Sequence, residues 1–225
     1  MTTSHAERVR QALRQRIITG ELAAGAHLNE LGLSREFGVS RVPVREAIRA
    51  LGTEGLVETR VYAGSRVSSL PAEDAEELFE IREVLERATA RKAARRARAA
   101  QETEDAEWSV ARAEIDEILR TGDQALLDDQ LELLAPLNIR FHQTIAEMGG
   151  SGPLAVLLRT ISGSIERLYV ADAHQRARTS WPEHHAIIAA IDAGDAELAG
   201  TSMAGHVRRS KRSYLRGAVD PGARD

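Results

Sequence analysis

The sequence predicts a mainly α-helical chain: an N-terminal winged helix-turn-helix with a small β-hairpin wing, then an all-α bundle of about six helices. Three observations carry this prediction. Ala, Leu, Glu and Arg are abundant while aromatic residues make up only 4%, a helix-favouring composition. The first seventy residues run as three short amphipathic segments followed by two β-type runs around a glycine. From Pro71 onward the helical period recurs, interrupted only by short polar or glycine-containing breaks. The expected organisation is therefore a winged helix-turn-helix head at 1–70, a helical domain at 71–217 and a disordered tail at 218–225.

Each element has its own warrant. Val9, Leu13 and Ile17 share one face of a helix expected over Ser4–Thr19, closed by Gly20. "GELAAGAHL" is a turn. A second helix over about Asn29–Phe37 stops at Gly38, a suitable left-handed cap. The third opens with Ser40 as N-cap; Glu stands at 46, so no capping box forms. Pro43 is tolerated there because a first-turn residue has no helical N–H bond to lose. Val44, Ile48 and Leu51 then line its apolar side. Leu56–Arg60 and Ser65–Ser68 read as strands around a tip at Ala63-Gly64. In the second half, breaks are expected near Gln101, at "TGD" (121–123), "GGSGP" (149–153), "SWP" (180–182) and "AGD" (193–195).

Charge separates the two halves. The chain carries a formal −4, which argues against a general polyanion binder. Residues 1–70, however, hold ten Arg and seven Glu with neither Lys nor Asp, leaving the remainder about −7. A basic head on an acidic body suits a protein in which one domain alone meets phosphate. With no cysteine, disulfides and thiolate metal sites are excluded. "MTTSHAERVRQ" lacks an apolar signal core and no stretch is long enough to span a membrane, so a cytoplasmic protein is expected.

Arg41, Arg45 and Arg49 recur every four residues, a step that drifts only about 40° around a helix. They form one stripe away from Val44, Ile48 and Leu51. A helix preceded by a short helix and a tight turn, with a cationic exposed half, fits the DNA major groove. Its first amides favour phosphate, and an arginine can grip guanine through two hydrogen bonds. Three arginines on an isolated helix would more often be a solvated face. The flanking helix, cap, proline and wing decide for double-stranded DNA. One head offers few base contacts, so a homodimer on an inverted-repeat operator is expected.

The bundle places polar groups on apolar faces. Asn138 and His142 lie one turn apart among Leu134, Leu137, Phe141, Ile145 and Met148. His184 shares a face with Ile187, Ile188 and Ile191, and His206 lies between Met203 and Val207. Buried without partners, such groups cost on the order of 1–3 kcal/mol each. Any one of these histidines alone is more often a hydrogen-bonded core residue. Three imidazoles and an amide from three helices can together ligate a divalent metal such as zinc or nickel. Arg82 and Glu86, one turn apart among Leu78, Phe79 and Leu85 in the first bundle helix, can pair with each other.

The stretch Val9–Val67, with "GVSRVPVREA" at its centre and "GSRV" in the wing, resembles the GntR family of bacterial transcription regulators. That resemblance implies DNA contacts from Ser40, Arg41, Arg45 and Arg49, and a wing near Gly64 entering the minor groove. Val42 stands where Thr is common, so the contact there lacks a hydroxyl. "EIREVLE" (80–86), "NIRFH" (138–142), "EHHAIIAAIDAGD" (183–195) and "MAGH" (203–206) resemble the FCD-type ligand-binding domain of the FadR subfamily. It implies a metal held by Asn138, His142, His184 and His206, with an organic acid beside it and Arg82 as its anchor. Asn138 stands where Asp is common and is a weaker, neutral ligand.

The leading reading is a ligand-responsive transcription regulator rather than an enzyme. The alternative is a metal-dependent hydrolase or lyase using the three-His site, against which no Asp or Glu is obviously placed as a general base. Turnover of an ester or phosphate with added zinc separates the two.

Overall fold

The computed structural model describes residues 4–60, 63–69 and 72–219, with 72–73, 168–177 and 217–219 as backbone alone. The chain divides into two compact units, Met1–Ala72 with Arg159–Arg167, and Glu73–Leu158 with Leu168–Asp225.

In the first unit, α1 (His5–Ile18), β1 (His27–Leu28), α2 (Glu30–Glu36), α3 (Arg41–Thr53), β2 (Val57–Arg60) and β3 (Gly64–Val67) follow in order. Helix α1 starts where the Ser4 hydroxyl accepts from Glu7 N at 3.2 Å. Helix α2 starts where Asn29 Oδ1 accepts from Leu31 N and Gly32 N. At Ser40 the backbone is extended, as at an N-cap, but the side chain makes no capping hydrogen bond. Gly38, at φ +64°, supplies the left-handed residue that turns α2 into α3. Leu13, Val44, Leu51 and Leu56 are wholly enclosed in the core between helices and sheet.

The predicted hairpin has a third member. β3 pairs antiparallel with β2 (Val57↔Val67, Arg60↔Gly64) and, on its other edge, with β1 (His27↔Arg66). Two residues between the turn at Gly25 and the Asn29 cap show no period-2 pattern, so β1 left no signal in the sequence. Val61 and Tyr62, just before the expected tip at Ala63-Gly64, lie outside the described residues.

The second unit holds α4 (Ala72–Ala100), α5 (Ala106–Leu127), a 3-10 turn (Leu131–Leu133), α6 (Leu134–Met148), most of α7 (Gly152–Asp192) and α8 (Ala196–Val219). In α4 the "ARKAARRARAA" stretch resolves into an inward stripe of Ala90, Ala93, Ala94 and Ala97, all buried. Small residues at this spacing let neighbouring helices approach closely. Against the stripe pack Ile115, Phe141, Ile145, Met148, Ile187 and Met203.

Two expected breaks are absent. "TGD" is internal to α5, which ends instead at Leu127 with Asp128 as its C-cap, before Asp129 at φ +57°. Gly122 is buried there as a packing residue: a Cβ would come within 1.8 Å of Trp181 Cζ2. "SWP" is likewise internal to α7, which continues through Pro182. The missing N–H is outweighed by the apolar burial of Trp181, Ile187, Ile188 and Ile191 on either side. The expected tail lies outside the described residues from 220 on, and 218–219 continue α8. Among the described residues, no helix is long and apolar enough to cross a membrane.

Candidate functional site

Two candidate clusters of side chains emerge, one in each unit. On α3, Val44, Ala47, Ile48 and Leu51 are buried, which turns Arg41, Arg45 and Arg49 outward. The Arg41 and Arg45 side chains are 58% and 49% exposed, and Val42, between them in the first turn, is 62% exposed. The structure thus brings the predicted row to one open surface.

Sequence reasoning missed the group that organises it. Glu30, the first residue of α2, accepts from Arg45 Nη2 at 2.8 Å and from Arg41 Nη2 at 3.1 Å. The Arg45 hydrogen bond, then that from Arg41, holds the Glu30 carboxyl below its usual range. A carboxylate at the start of α2 was visible in the sequence, but its partners on α3, eleven and fifteen residues on, were not. Gly64, at φ +77°, opens the wing strand; a Cβ there would meet His27 Nε2 at 2.8 Å, so both conformation and space call for glycine.

In the second unit, α6, α7 and α8 deliver His142, His184 and His206 to one point. One nitrogen from each lies within 4.8 Å of the others, and all three are buried. Asn138 is buried one turn before His142 on α6. His184 lies on Phe141 with ring centroids 4.1 Å apart, and Trp181 meets it edge-on at 4.8 Å. Neither His184 nitrogen has a hydrogen-bond partner, nor does Asn138 Nδ2. Buried polar nitrogens in this condition fit a ligand-binding role, since each otherwise forfeits its hydration. The three-His cluster can hold a metal ion.

Carboxylates stand beside two of the imidazoles. Arg82 Nε donates to Glu86 Oε1 at 2.5 Å, and Arg82 Nη2 lies 3.1 Å from His142 Nε2. Glu86 Oε2 lies 2.7 Å from His142 Nδ1. Burial pushes the Glu86 carboxyl up, but Arg82 and then His142 outweigh it and hold it at about 2. His206 Nδ1 lies 2.7 Å from Glu183 Oε2. Burial lowers His206 to about 3 against the opposing pull of Glu183. Burial, then the neighbouring His206 and His142, takes His184 well below its ordinary value. Burial also lowers His142, partly opposed by Glu86. At neutral pH the imidazoles therefore carry lone pairs rather than charge, as metal ligation requires.

Glu183 was the second omission from the sequence reading. Adjacent to His184, it points a different way around the helix, and only the packing of α7 on α8 links it to His206. His185, next along, is exposed and lies 3.0 Å from Asp123 Oδ1, outside the cluster.

Comparison with known proteins agrees with both halves. Residues 5–67 match the model of the bacterial regulatory proteins, gntR family, and residues 77–209 match the FCD domain. The chain is 33% identical to an uncharacterised HTH-type transcriptional regulator in an unstable DNA locus of Streptomyces ambofaciens, over 87% of this chain and 79% of that protein. It is 28% identical to a probable D-xylose utilization operon transcriptional repressor of Paenarthrobacter nicotinovorans, over 91% of this chain and 86% of that one. The crystal structure of a putative transcriptional regulator GntR from Rhodococcus sp. RHA1 matches with a TM-score of 0.71 and 27% identity, covering 95% of this chain and 99% of that one. These relatives are described as transcriptional regulators, not enzymes. With a winged helix-turn-helix at one end and a helical domain matched over more than half its length at the other, the chain belongs to the GntR family of bacterial transcription regulators, in the group that carries an FCD domain.

Proposed function

We propose that the chain is a homodimeric regulator that binds an inverted-repeat operator through α3 and releases or grips it in response to a small carboxylate bound in the helical domain. The observation that carries the effector half is the convergence of three buried imidazoles beside a buried Arg82. His142, His184 and His206 are the residues that would hold a divalent ion, zinc or nickel by ligand type, with Asn138 as a further oxygen donor. A bound ion supplies uncompensated positive charge, for which an anionic oxygen is the natural remaining partner. Arg82 then offers the second anchor for a carboxylate, in competition with Glu86. A relative named for a D-xylose utilization operon supports a role in small-molecule catabolism.

On the DNA side, Arg41, Val42, Arg45 and Arg49 face the major groove, Ser40 contributes its hydroxyl at the helix start, and the wing at Gly64 approaches the minor groove. The test joins both halves. Metal stoichiometry by elemental analysis is measured on wild type, His142→Ala, His184→Ala and His206→Ala, and DNA binding on a fragment selected from a random pool. The expected result is one ion per chain in wild type, loss of it in each variant, and DNA binding that survives without effector. A wild type that takes up no zinc or nickel, and gains no thermal stability from either, refutes the metal reading and leaves the regulator.

A further inference from the structure

Glu183 stands between two α8 residues. One oxygen, Oε2, lies 2.7 Å from His206 Nδ1, and the other, Oε1, accepts from Arg209 Nε at 2.6 Å. His206 is fully enclosed, whereas the Glu183 side chain retains 19% exposure. An imidazole that donates its Nδ1 proton to a carboxylate keeps its lone pair on Nε2, and that nitrogen becomes the more basic. Both carboxylate oxygens being engaged fixes the plane of the acceptor, and with it the tilt of the ring. Arg209 offsets the charge of the carboxylate beside the enclosed histidine.

We propose that Glu183 is a positioning residue that selects the tautomer and orientation of His206 so that its Nε2 is presented for a divalent cation. This rests on the metal reading above. A similar close approach occurs at His142, 2.7 Å from Glu86. Glu86, however, also balances the buried Arg82, so its removal would disturb more than one ring. His184 has aromatic neighbours, Phe141 and Trp181, in place of a carboxylate. Its ring is set by packing, and among the three it is the ligand left freest to change tautomer.

The experiment uses the full-length chain as wild type, Glu183→Gln and Glu183→Ala, with zinc affinity measured by competition against a chromophoric chelator. The visible absorption of the cobalt(II)-loaded proteins is recorded alongside. Glu183→Ala is expected to weaken zinc binding by about 10- to 100-fold and to shift the cobalt bands. Glu183→Gln keeps an acceptor for Nδ1 but loses the charge, so a smaller loss of roughly threefold to tenfold is expected. A merely structural α7–α8 link would lower the melting temperature of the chelator-treated variants without moving zinc affinity. Wild-type binding with either variant within about twofold overturns this proposal alone. A wild type that binds no zinc or cobalt overturns the metal reading and this inference together. Should Glu183→Ala not fold, Glu183→Gln decides by the same twofold limit.

Discussion

In the first unit, charged side chains stand in solvent and are steadied by one carboxylate from the neighbouring helix; in the second, uncharged imidazoles stand sealed from solvent with carboxylates behind two of them. Both arrangements hold nitrogen donors ready for a partner, but by opposite means. A guanidinium group keeps its charge at every accessible pH, and Glu30 costs Arg41 and Arg45 little because the pairing is exposed and screened. The histidines are useful for ligation only while neutral, and burial makes them so. DNA binding should therefore respond to salt and be insensitive to mild acid, and the imidazole cluster should behave in the reverse way.

The largest expected effect strikes the exposed row. Replacing Arg41, Arg45 and Arg49 together by Ala should abolish specific DNA binding in a fluorescence-anisotropy titration, and Arg45→Ala alone should weaken it roughly tenfold to a hundredfold. Retention of wild-type affinity by the triple variant would remove α3 from the groove. Metal content should be unchanged in all of them.

Next in size is a change confined to the second unit. Gly122→Ala forces a Cβ into the indole of Trp181, whose edge meets His184. Overpacking of this kind costs about 1–3 kcal/mol, read as a lower denaturant midpoint, and zinc affinity should fall with it. An unchanged midpoint would mean that α5 and α7 can part without loss.

Acid should separate the regions further. His206 titrates near 6.5 when unfolded and at about 3 when folded, so the unfolded chain binds more protons between those values. Stability is then complete above about pH 6.5 and declines as pH falls toward 3. At pH 5 this one residue accounts for a loss of about 2 kcal/mol. Chelator-treated protein should melt lower at pH 5 than at pH 7; equal melting temperatures would contradict a neutral, enclosed His206.

The smallest effect concerns Glu30. Glu30→Gln releases Arg41 and Arg45 from their shared carboxylate, so affinity for random-sequence DNA should rise by a few fold at low salt and converge with wild type at high salt. A drop instead would show that Glu30 aims the arginines more than it neutralises them.

The two regions also differed in how far they could be read from sequence. The arginine row was legible because it needs only the step of four along one helix and the apolar residues on its other side. The histidines were legible as inward-facing residues for the same local reason. Their carboxylate partners were not, because Glu183 reaches His206 across a helix interface and Glu30 meets α3 across a turn. "TGD" and "SWP" misled for a related reason: Gly122 and Pro182 look like helix breakers until the indole between them is seen. Both tolerate the helix because Trp181 packs there, and no local pattern announces a contact between residues 122 and 181.

That indole makes the cluster optically visible. Trp181 is one of only two tryptophans in the chain, and its Nε1 donates to Asp123 Oδ1 at 3.0 Å while its edge faces His184. Phenylalanine at Trp108 would leave a single emitter, shielded from water and within van der Waals range of a candidate ligand ring. Paramagnetic nickel or cobalt at the imidazoles would quench it and diamagnetic zinc would not. The protein thus carries its own fluorescent gauge of which ion, if any, has entered.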